Sequence, residues 1–184
     1  MLTLFHDFTS AASAVAVARV QRLADEGSTV EFAGFEAVGI DAVLPPTLDV
    51  LAAVDRLAAE AKCEGVILRR PTALPPTALA HVVATVAETA GLAASWRQLC
   101  YLAFWRDGSD ISDRQVLSAL ARRAGLPSDD VTAALSDRLL LAAIRRRTAA
   151  HRRNGIGGVP TILAQRTLVP GLLPEADLRA LAGL

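Results

Sequence analysis

Extended segments lie near both ends of this chain, with helical segments between them, and this order constrains the fold most strongly. The start, LTLFHDF, alternates like a strand, the next stretch, SAASAVAVARVQRLADEG, has helical spacing, and STVEFAGFEAVG is extended again. Together they predict a βαβ unit with parallel strands and a right-handed crossover. After Gly155, VPTILA and TLVPG predict a hairpin that turns at Gln165 and Arg166, and LPEADLRALAGL predicts a closing helix.

The long middle of the chain is predicted to be helical. From about Thr47 to Asn154 it has the 3.6-residue apolar spacing of helices. Because strands from both ends are needed to complete one sheet, we predict one α/β domain formed by residues 1–46 and 155–184, with residues 47–154 as an inserted helical subdomain. One of these helices carries an aromatic cluster that is predicted to form core, or alternatively to wall an apolar pocket: Trp96, Tyr101, Phe104 and Trp105.

Charge and hydropathy exclude several partners. The 184 residues include 19 basic and 19 acidic side chains, so no net field favours nucleic acid or an anionic membrane. Although 52% of the residues are hydrophobic, no apolar run is long enough to span a membrane. The first residues, MLTLFHDF, lack the basic region of a signal peptide. We therefore expect a cytoplasmic protein with no nucleic-acid or membrane partner.

The two cysteines, Cys63 and Cys100, lie far apart in the sequence and belong to no CxxC or zinc-binding spacing. We expect two free buried thiols, because an unpaired cysteine usually behaves as a small hydrophobic residue. A long-range disulfide is the alternative, and a reducing compartment disfavours it. No metal site is expected.

Three segments carry a family resemblance: FHDFTSAAS, WRDGSDISDRQVLSALARRAGL and NGIGGVPTILAQRTLVPGLLPEADLRAL. They resemble the DsbA-like family, in its cytoplasmic FrnE-like branch, and the likeness covers essentially the whole chain. The resemblance implies a thioredoxin-like fold, βαβ…ββα, with a large all-helical insertion. Where redox members of the family have Cys-x-x-Cys, this chain has Ser10, Ala11, Ala12 and Ser13. Thiol–disulfide exchange needs a thiolate, so Ser10 cannot perform it.

Kappa-class glutathione transferases and 2-hydroxychromene-2-carboxylate isomerases are relatives that resemble this chain in having Ser-x-x-Ser at that position. In those enzymes the first serine hydrogen-bonds the sulfur of a bound glutathione. The resemblance therefore implies that Ser10 and Ser13 are catalytic residues and that Ser10 contacts the thiol of a cofactor. Those enzymes usually have a proline and an aromatic residue between the serines, whereas this chain has two alanines.

Other positions of the chain also bear on the implied site. Pro160 resembles the cis-proline of the family, which implies that the backbone of Val159 binds a thiol-bearing ligand. His151 stands where the family tends to have a small residue, four positions before Gly155, and is expected to project toward the site. The implied cofactor is a low-molecular-weight thiol, glutathione or mycothiol. Arginine outnumbers lysine eighteen to one, which suggests a GC-rich genome and, for an actinobacterium, favours mycothiol.

Each candidate also has a purely structural interpretation. Serine is a preferred N-cap residue, so capping alone would explain Ser10. Asp7 is interpreted as a turn residue, His6 and His81 as structural residues, and His151 as a solvated residue near a helix end. The helix dipole and solvation account for most of the five arginines in RRRTAAHRRN, with binding of a ligand carboxylate or phosphate by one of them as the alternative.

Two functions from different classes follow, and whether the chain is an enzyme is left open between them. In the first, a thiol bound between Ser10 and Val159–Pro160 is used for transfer to, or isomerisation of, an apolar substrate under the helical insertion. In the second, the chain is a redox-inactive binding or assembly module without catalysis. The kappa-class relatives imply a homodimer.

Overall fold

The structure is a computed structural model that describes residues 1–183, and these residues form four strands and eight helices. In chain order they are β1 (Leu2–His6), α1 (Ala11–Asp25), β2 (Val30–Gly34), α2 (Leu48–Cys63), α3 (Ala78–Thr89), α4 (Ala93–Trp105), α5 (Arg114–Arg123), α6 (Ser128–Ser136), α7 (Arg138–Arg153), β3 (Thr161–Ala164), β4 (Thr167–Pro170) and α8 (Glu175–Ala182). The predicted α/β class, element order and helical insertion are confirmed. The domain limits 1–46, 47–154 and 155–184 stay a prediction.

Both ends of the chain contribute to one sheet, as predicted. Its strand order is β2-β1-β3-β4. β1 pairs in parallel with β2, where Leu4 is opposite Phe32, and antiparallel with β3, where Leu4 is opposite Ile162. β3 and β4 form the expected hairpin, and Gln165 adopts a φ of 56° in its turn. β1 is therefore a central strand.

The central strand is buried on both faces. Leu4 belongs to the larger core, together with Leu23 of α1. Phe5, which points to the opposite face because side chains alternate along a strand, belongs to a smaller cluster with Phe35 and Ile156. Since neighbours surround β1 on both faces and both edges, the turn that follows it has a fixed position.

Helix α4 joins the insertion to the core of the sheet. Its four aromatic residues are buried and belong to the same hydrophobic cluster as β1 and α1: Trp96, Tyr101, Phe104 and Trp105. The prediction that they form core between the insertion and the sheet is confirmed. This packing brings α4 against the turn between β1 and α1.

Candidate functional site at the start of α1

Ser10 caps the helix that follows β1. Its backbone is extended, with φ −93° and ψ 115°, and its Oγ accepts a hydrogen bond of 3.1 Å from the N–H of Ser13. Serine suits this position because its short hydroxyl reaches one of the unpaired N–H groups of the first turn. The same hydroxyl donates to the carbonyl oxygen of Val159 over 3.4 Å. Ser10 therefore connects the start of α1 to the segment that leads into β3.

The first turn of α1 also keeps free backbone donors. In the described part of the chain, the N–H groups of Ala11 and Ala12 have no hydrogen-bond acceptor. Such groups, together with the helix dipole, give a helix N-terminus partial positive charge. Ser10 and Ala12 are partly exposed, so a ligand can reach this end of the helix.

Ser13, the second predicted catalytic serine, is fully buried. Its Oγ accepts a hydrogen bond of 3.4 Å from the N–H of Asp7. The structure thus places Ser10 at the surface of the turn and Ser13 in its interior. A catalytic role for Ser13 stays a prediction.

Val159 and Pro160 are joined by a cis peptide bond, as predicted. They line an open cleft of ≈ 510 Å³ formed by the segment before β3 and by the end of β4. No acceptor for the N–H of Val159 is found within residues 1–183. The structure therefore brings Ser10, Val159 and Pro160 together at the C-terminal end of β1.

A second cleft lies beside the same turn, on the side of the insertion. It has a volume of ≈ 310 Å³ and is lined by Val43, by residues 69–73 and Pro75, by Phe104 and Trp105 at the end of α4, and by the polar segment 106–110. The indole N–H of Trp105 donates to the carbonyl oxygen of Phe8 at 3.0 Å. One wall of this cleft is therefore attached to the turn that carries Ser10.

His151 lies in a different cleft. Its ring packs edge-on against Phe5, with 4.8 Å between the ring centroids, and it lines a cleft at the outer edge of β2. Burial, followed by the charge of Arg147, lowers the pKa of His151. The interpretation of His151 as a solvated residue is wrong, because the imidazole is packed and partly buried. Its contact with a cofactor stays a prediction.

Side chains from the insertion hold the turn between β1 and α1. His81 of α3 lies with its Nε2 atom 3.2 Å from Oδ1 of Asp7. Tyr101 of α4 donates to the carbonyl oxygen of Asp7 at 3.1 Å, next to the bond from Trp105 to Phe8. Asp7 is completely buried, and its other carboxylate oxygen accepts from the N–H of Ala37 at 2.9 Å, so both oxygens have partners inside the core.

Sequence reasoning missed this set of contacts. It assigned turn and structural roles to Asp7 and His81 separately, without pairing them, because 74 positions separate the two residues. The sequence FHDF does carry a signal, because it places the carboxylate of Asp7 between residues that are expected in the core. A buried carboxylate needs polar partners, and a histidine on a predicted core helix is a suitable donor, whereas tyrosine and tryptophan can donate to the carbonyl groups of the same turn.

The sequence model of one family, described as the DSBA-like thioredoxin domain, matches residues 1–181. This chain belongs to the DsbA-like thioredoxin-domain family. The predicted resemblance is confirmed, and with it the thioredoxin-like fold. No curated protein sequence is significantly similar to the chain.

Several solved structures share the fold of this DsbA-like chain. A probable DsbA oxidoreductase from Streptomyces coelicolor has a TM-score of 0.82 at 22% identity, over 99% of this chain and 89% of its own. A 2-hydroxychromene-2-carboxylate isomerase has a TM-score of 0.77 at 19% identity, over 99% of this chain and 92% of its own. The cytosolic disulfide reductase DsbM from Pseudomonas aeruginosa, in a structure with glutathione, has a TM-score of 0.68 at 19% identity, over 100% of this chain and 99% of its own. At such identities the likeness shows the fold.

Neither cysteine of this DsbA-like chain lies at the start of α1. Both are free: Cys63 ends α2 and is exposed, whereas Cys100 lies in α4 and is buried. The expectation of two buried thiols is therefore wrong for Cys63, which lies on the solvent side of its helix. Burial, followed by the charge of Asp7, raises the pKa of Cys100 well above its usual value, so this thiol stays protonated.

Residues 1–183 contain no group of three or more His, Cys, Asp or Glu side chains placed to hold a metal ion. Over the same residues, no helix has both the length and the apolar character needed to cross a membrane.

Proposed function

We propose that this DsbA-like chain binds a low-molecular-weight thiol at Ser10 and the Val159–Pro160 peptide, and uses it for the transfer or isomerisation of an apolar substrate. The observation that carries the proposal is the hydroxyl of Ser10, which caps α1 and lies 3.4 Å from the carbonyl oxygen of Val159 beside an open cleft. The thiol is glutathione or mycothiol.

The start of α1 fits a thiolate. When bound, the cofactor would supply the sulfur nucleophile that this chain lacks at Ser10. The N–H groups of Ala11 and Ala12 and the positive end of the helix dipole would stabilise its negative charge. The bond from Ser10 to Val159 is long for a hydroxyl donor, so little is lost when Ser10 turns its proton to sulfur instead.

The peptide before Pro160 supplies orientation. The free N–H of Val159 can donate to a carbonyl group of a peptide-like thiol such as glutathione. Its carbonyl oxygen becomes available as an acceptor once Ser10 turns away. Val159 would therefore hold the ligand backbone while Ser10 holds the sulfur.

The cleft lined by Phe104 and Trp105 suits the apolar substrate. Its volume of ≈ 310 Å³ lies at the small end of the range for ligand pockets, about 300–1,000 Å³. Trp105, which lines this cleft, is hydrogen-bonded to the turn that precedes Ser10, and this contact supports placing the substrate here.

Known relatives support a thiol partner. DsbM was solved with glutathione, and a 2-hydroxychromene-2-carboxylate isomerase has the same fold. DsbM is described as cytosolic, which supports the cytoplasmic location proposed for this chain. A homodimer is part of the same proposal, and sedimentation of the purified protein would test it.

A redox-inactive binding or assembly module is the second candidate. Ser10 already has two partners within the protein, the N–H of Ser13 and the carbonyl of Val159. These two bonds alone would explain a serine at this position, since an N-cap serine stabilises its helix in any protein. Binding experiments must therefore separate capping from thiol recognition.

Calorimetric titration with glutathione, mycothiol and bacillithiol, carried out on two variants of Ser10, distinguishes helix capping from thiol recognition. Ser10→Ala removes both the cap and the donor to sulfur, and the expected loss of affinity for the bound thiol is about tenfold or more. Ser10→Asp keeps a preferred N-cap but puts a carboxylate where the thiolate would lie, so it should abolish binding while keeping the cap of α1, at the cost of the bond to Val159.

Thr47→Ala is the matched control. Thr47 caps α2 through a 3.3 Å bond from the N–H of Val50 and lines neither of the two clefts of the proposed site. Its loss should lower the free energy of unfolding by about 0.5–2 kcal/mol, like Ser10→Ala, without changing thiol affinity. If none of the three thiols binds the native protein, or if Ser10→Asp binds as well as the native protein does, the chain is a DsbA-like module in which Ser10 only caps α1.

A further inference from the structure

The cleft at the outer edge of β2 contains positively charged groups that lack partners. Its volume is ≈ 450 Å³, and α1, β2, α3, α4 and α7 line it. It shares no lining residue with the cleft at Pro160, and Ser10 does not line it. What it binds is therefore a separate question from the proposed thiol site.

Arg97 of α4 is the central residue of this cleft. It is only 9% exposed, and its guanidinium lies 3.7 Å from the ring centroid of Phe32. One of its terminal nitrogens donates to the amide oxygen of Gln21 at 3.0 Å, while its buried Nε has no hydrogen-bond partner in the described residues. Burial lowers the pKa of Arg97 to about 10, and interactions with Tyr101 and Glu88 oppose this shift only in part.

Arg19 shows how this chain otherwise satisfies a buried arginine. It is 6% exposed, and carboxylate oxygens of Glu60 and Glu64 lie 2.6 and 2.7 Å from its guanidinium. Within residues 1–183, no carboxylate lies within 4.0 Å of Arg97 or of Arg147. Because a buried charge is costly unless it is paired, the position of Arg97 calls for an anion from outside the chain.

Arg147 and His151 of α7 line the same cleft as Arg97. Buried Nε of Arg147 and Nε2 of His151 both lack a hydrogen-bond partner in the part of the chain that the structure describes, and both side chains line this cleft. Arg97 stacks on Phe32, whereas His151 packs against Phe5 on the other face of the sheet, so Arg97 and Arg147 are the candidates to bind a ligand together. Unpaired guanidinium groups that line one cleft are typical of a ligand site.

We infer that this cleft binds a small organic monocarboxylate with an apolar body, held by Arg97 and Arg147. Guanidinium groups pair with carboxylates through directed hydrogen bonds, which would satisfy the free Nε atoms. The apolar lining residues available to contact the body of the ligand include Val30, Phe32 and Ala33 of β2.

The charges around the cleft favour a single negative charge over a phosphate. Glu31 and Glu88 also line it, and both are exposed at its rim. Their two negative charges balance the two positive charges of Arg97 and Arg147, so a second negative charge on the ligand gains little further attraction and costs more to remove from water. A monocarboxylate neutralises the buried guanidinium without crowding the two acidic side chains with a second negative charge.

Benzoate is a suitable probe, because it combines one carboxylate with a small apolar ring. Binding is followed in the full-length protein through the ¹⁵N–¹H signals of the arginine Nε groups and by calorimetry. Benzoate should shift the Nε signals of Arg97 and Arg147 saturably, whereas benzyl alcohol, which lacks the charge, and inorganic phosphate should not.

Three variants identify the groups that bind the carboxylate. Arg147→Gln should weaken benzoate binding about tenfold, the effect expected for losing one hydrogen bond to a charged group. Arg146→Gln is the matched control, since Arg146 is the exposed neighbour on α7, and it should leave affinity unchanged. Glu88→Gln removes a rim charge and should strengthen binding severalfold. Both Arg146 and Glu88 are exposed, so these variants should fold normally.

The proposal is overturned if benzoate leaves the Arg97 Nε signal unmoved, or if benzyl alcohol shifts it equally. The proposal is also overturned if Arg146→Gln and Arg147→Gln weaken benzoate binding equally, because the loss would then come from the lower net charge of the protein and not from a contact with Arg147. None of these results depends on Ser10, so failure here is distinguishable from failure of the thiol proposal.

Discussion

Tyr101 has one hydroxyl proton and two hydrogen-bond neighbours. Its oxygen lies 3.1 Å from the carbonyl oxygen of Asp7 and 3.0 Å from Nδ1 of His6. A carbonyl oxygen can only accept, so the phenol donates to Asp7 and Nδ1 of His6 donates to the phenol. This arrangement fixes which nitrogen of His6 carries the proton and closes a buried chain of hydrogen bonds at the end of β1.

The same burial makes stability depend on pH through His6. Burial, followed by the charge of His81 and of two nearby arginines, lowers the pKa of His6 well below its usual value of 6.5. Above that value His6 is neutral in the folded and the unfolded chain, so it contributes no pH dependence there. Below it, the unfolded chain takes up a proton that the folded chain does not, and the free energy of unfolding falls by up to about 1.4 kcal/mol per pH unit.

Urea unfolding of the native protein and of His6→Asn tests this origin. The asparagine amide can still donate to Tyr101 but does not titrate. Between about pH 6.5 and about pH 5.5 the variant should therefore lose less stability than the native protein, by up to about 1.4 kcal/mol. Equal losses in both proteins would assign the acid sensitivity to other groups.

At the scale of elements, β2 and α3 approach each other closely at Gly34. A Cβ atom added to Gly34 would lie 2.5 Å from Nδ1 of His81, closer than real Cβ atoms come to other atoms. His81 is 1% exposed and contacts Asp7, so it cannot move aside easily. The absence of a side chain at Gly34 therefore leaves the space in which His81 of α3 reaches Asp7, in the turn between β1 and α1.

Gly34→Ala should consequently lower the free energy of unfolding by about 1–3 kcal/mol, the usual cost of overpacking a core. Gly157→Ala is the matched control, because no atom lies within 4 Å of the Cβ position there and Gly157 is exposed. Urea midpoints of the two variants measure the difference. A midpoint for Gly34→Ala equal to that of the native protein would mean that α3 is free to shift away from β2.

The elements of this fold could be predicted because each has a local signal. The alternation in LTLFHDF predicts β1, helical spacing predicts α1 to the observed extent, and Pro160 was identified through the resemblance of its GVP context. The contacts that complete the site have no local signal. The pairing of Asp7 with His81 and the stacking of Arg97 on Phe32 join residues far apart in the chain, and they follow only from how α3 and α4 pack on the sheet.

For the molecule as a whole, the insertion and the sheet behave as parts of one core. One hydrophobic cluster extends from Leu4 in β1 through α1 to Trp96 in α4 and Leu117 in α5. Hydrogen bonds from α4 also tie the carbonyl groups at the end of β1. Unfolding of the inserted helices would expose the core face of the sheet, so neither part can lose its structure alone at low cost.

Cooperative unfolding is the resulting prediction, and the chain offers a convenient reporter because both of its tryptophans lie in α4. Urea transitions measured by tryptophan fluorescence and by NMR signals of β1 amides should have the same midpoint. Trp105→Phe keeps an aromatic ring and Trp96 as reporter but removes the bond to the carbonyl of Phe8. It should lower the free energy of unfolding by about 1–3 kcal/mol, because a buried acceptor loses its partner, and should shift both transitions together. A fluorescence transition at a lower urea concentration than the loss of the β1 amide signals would show that the insertion unfolds as a separate unit.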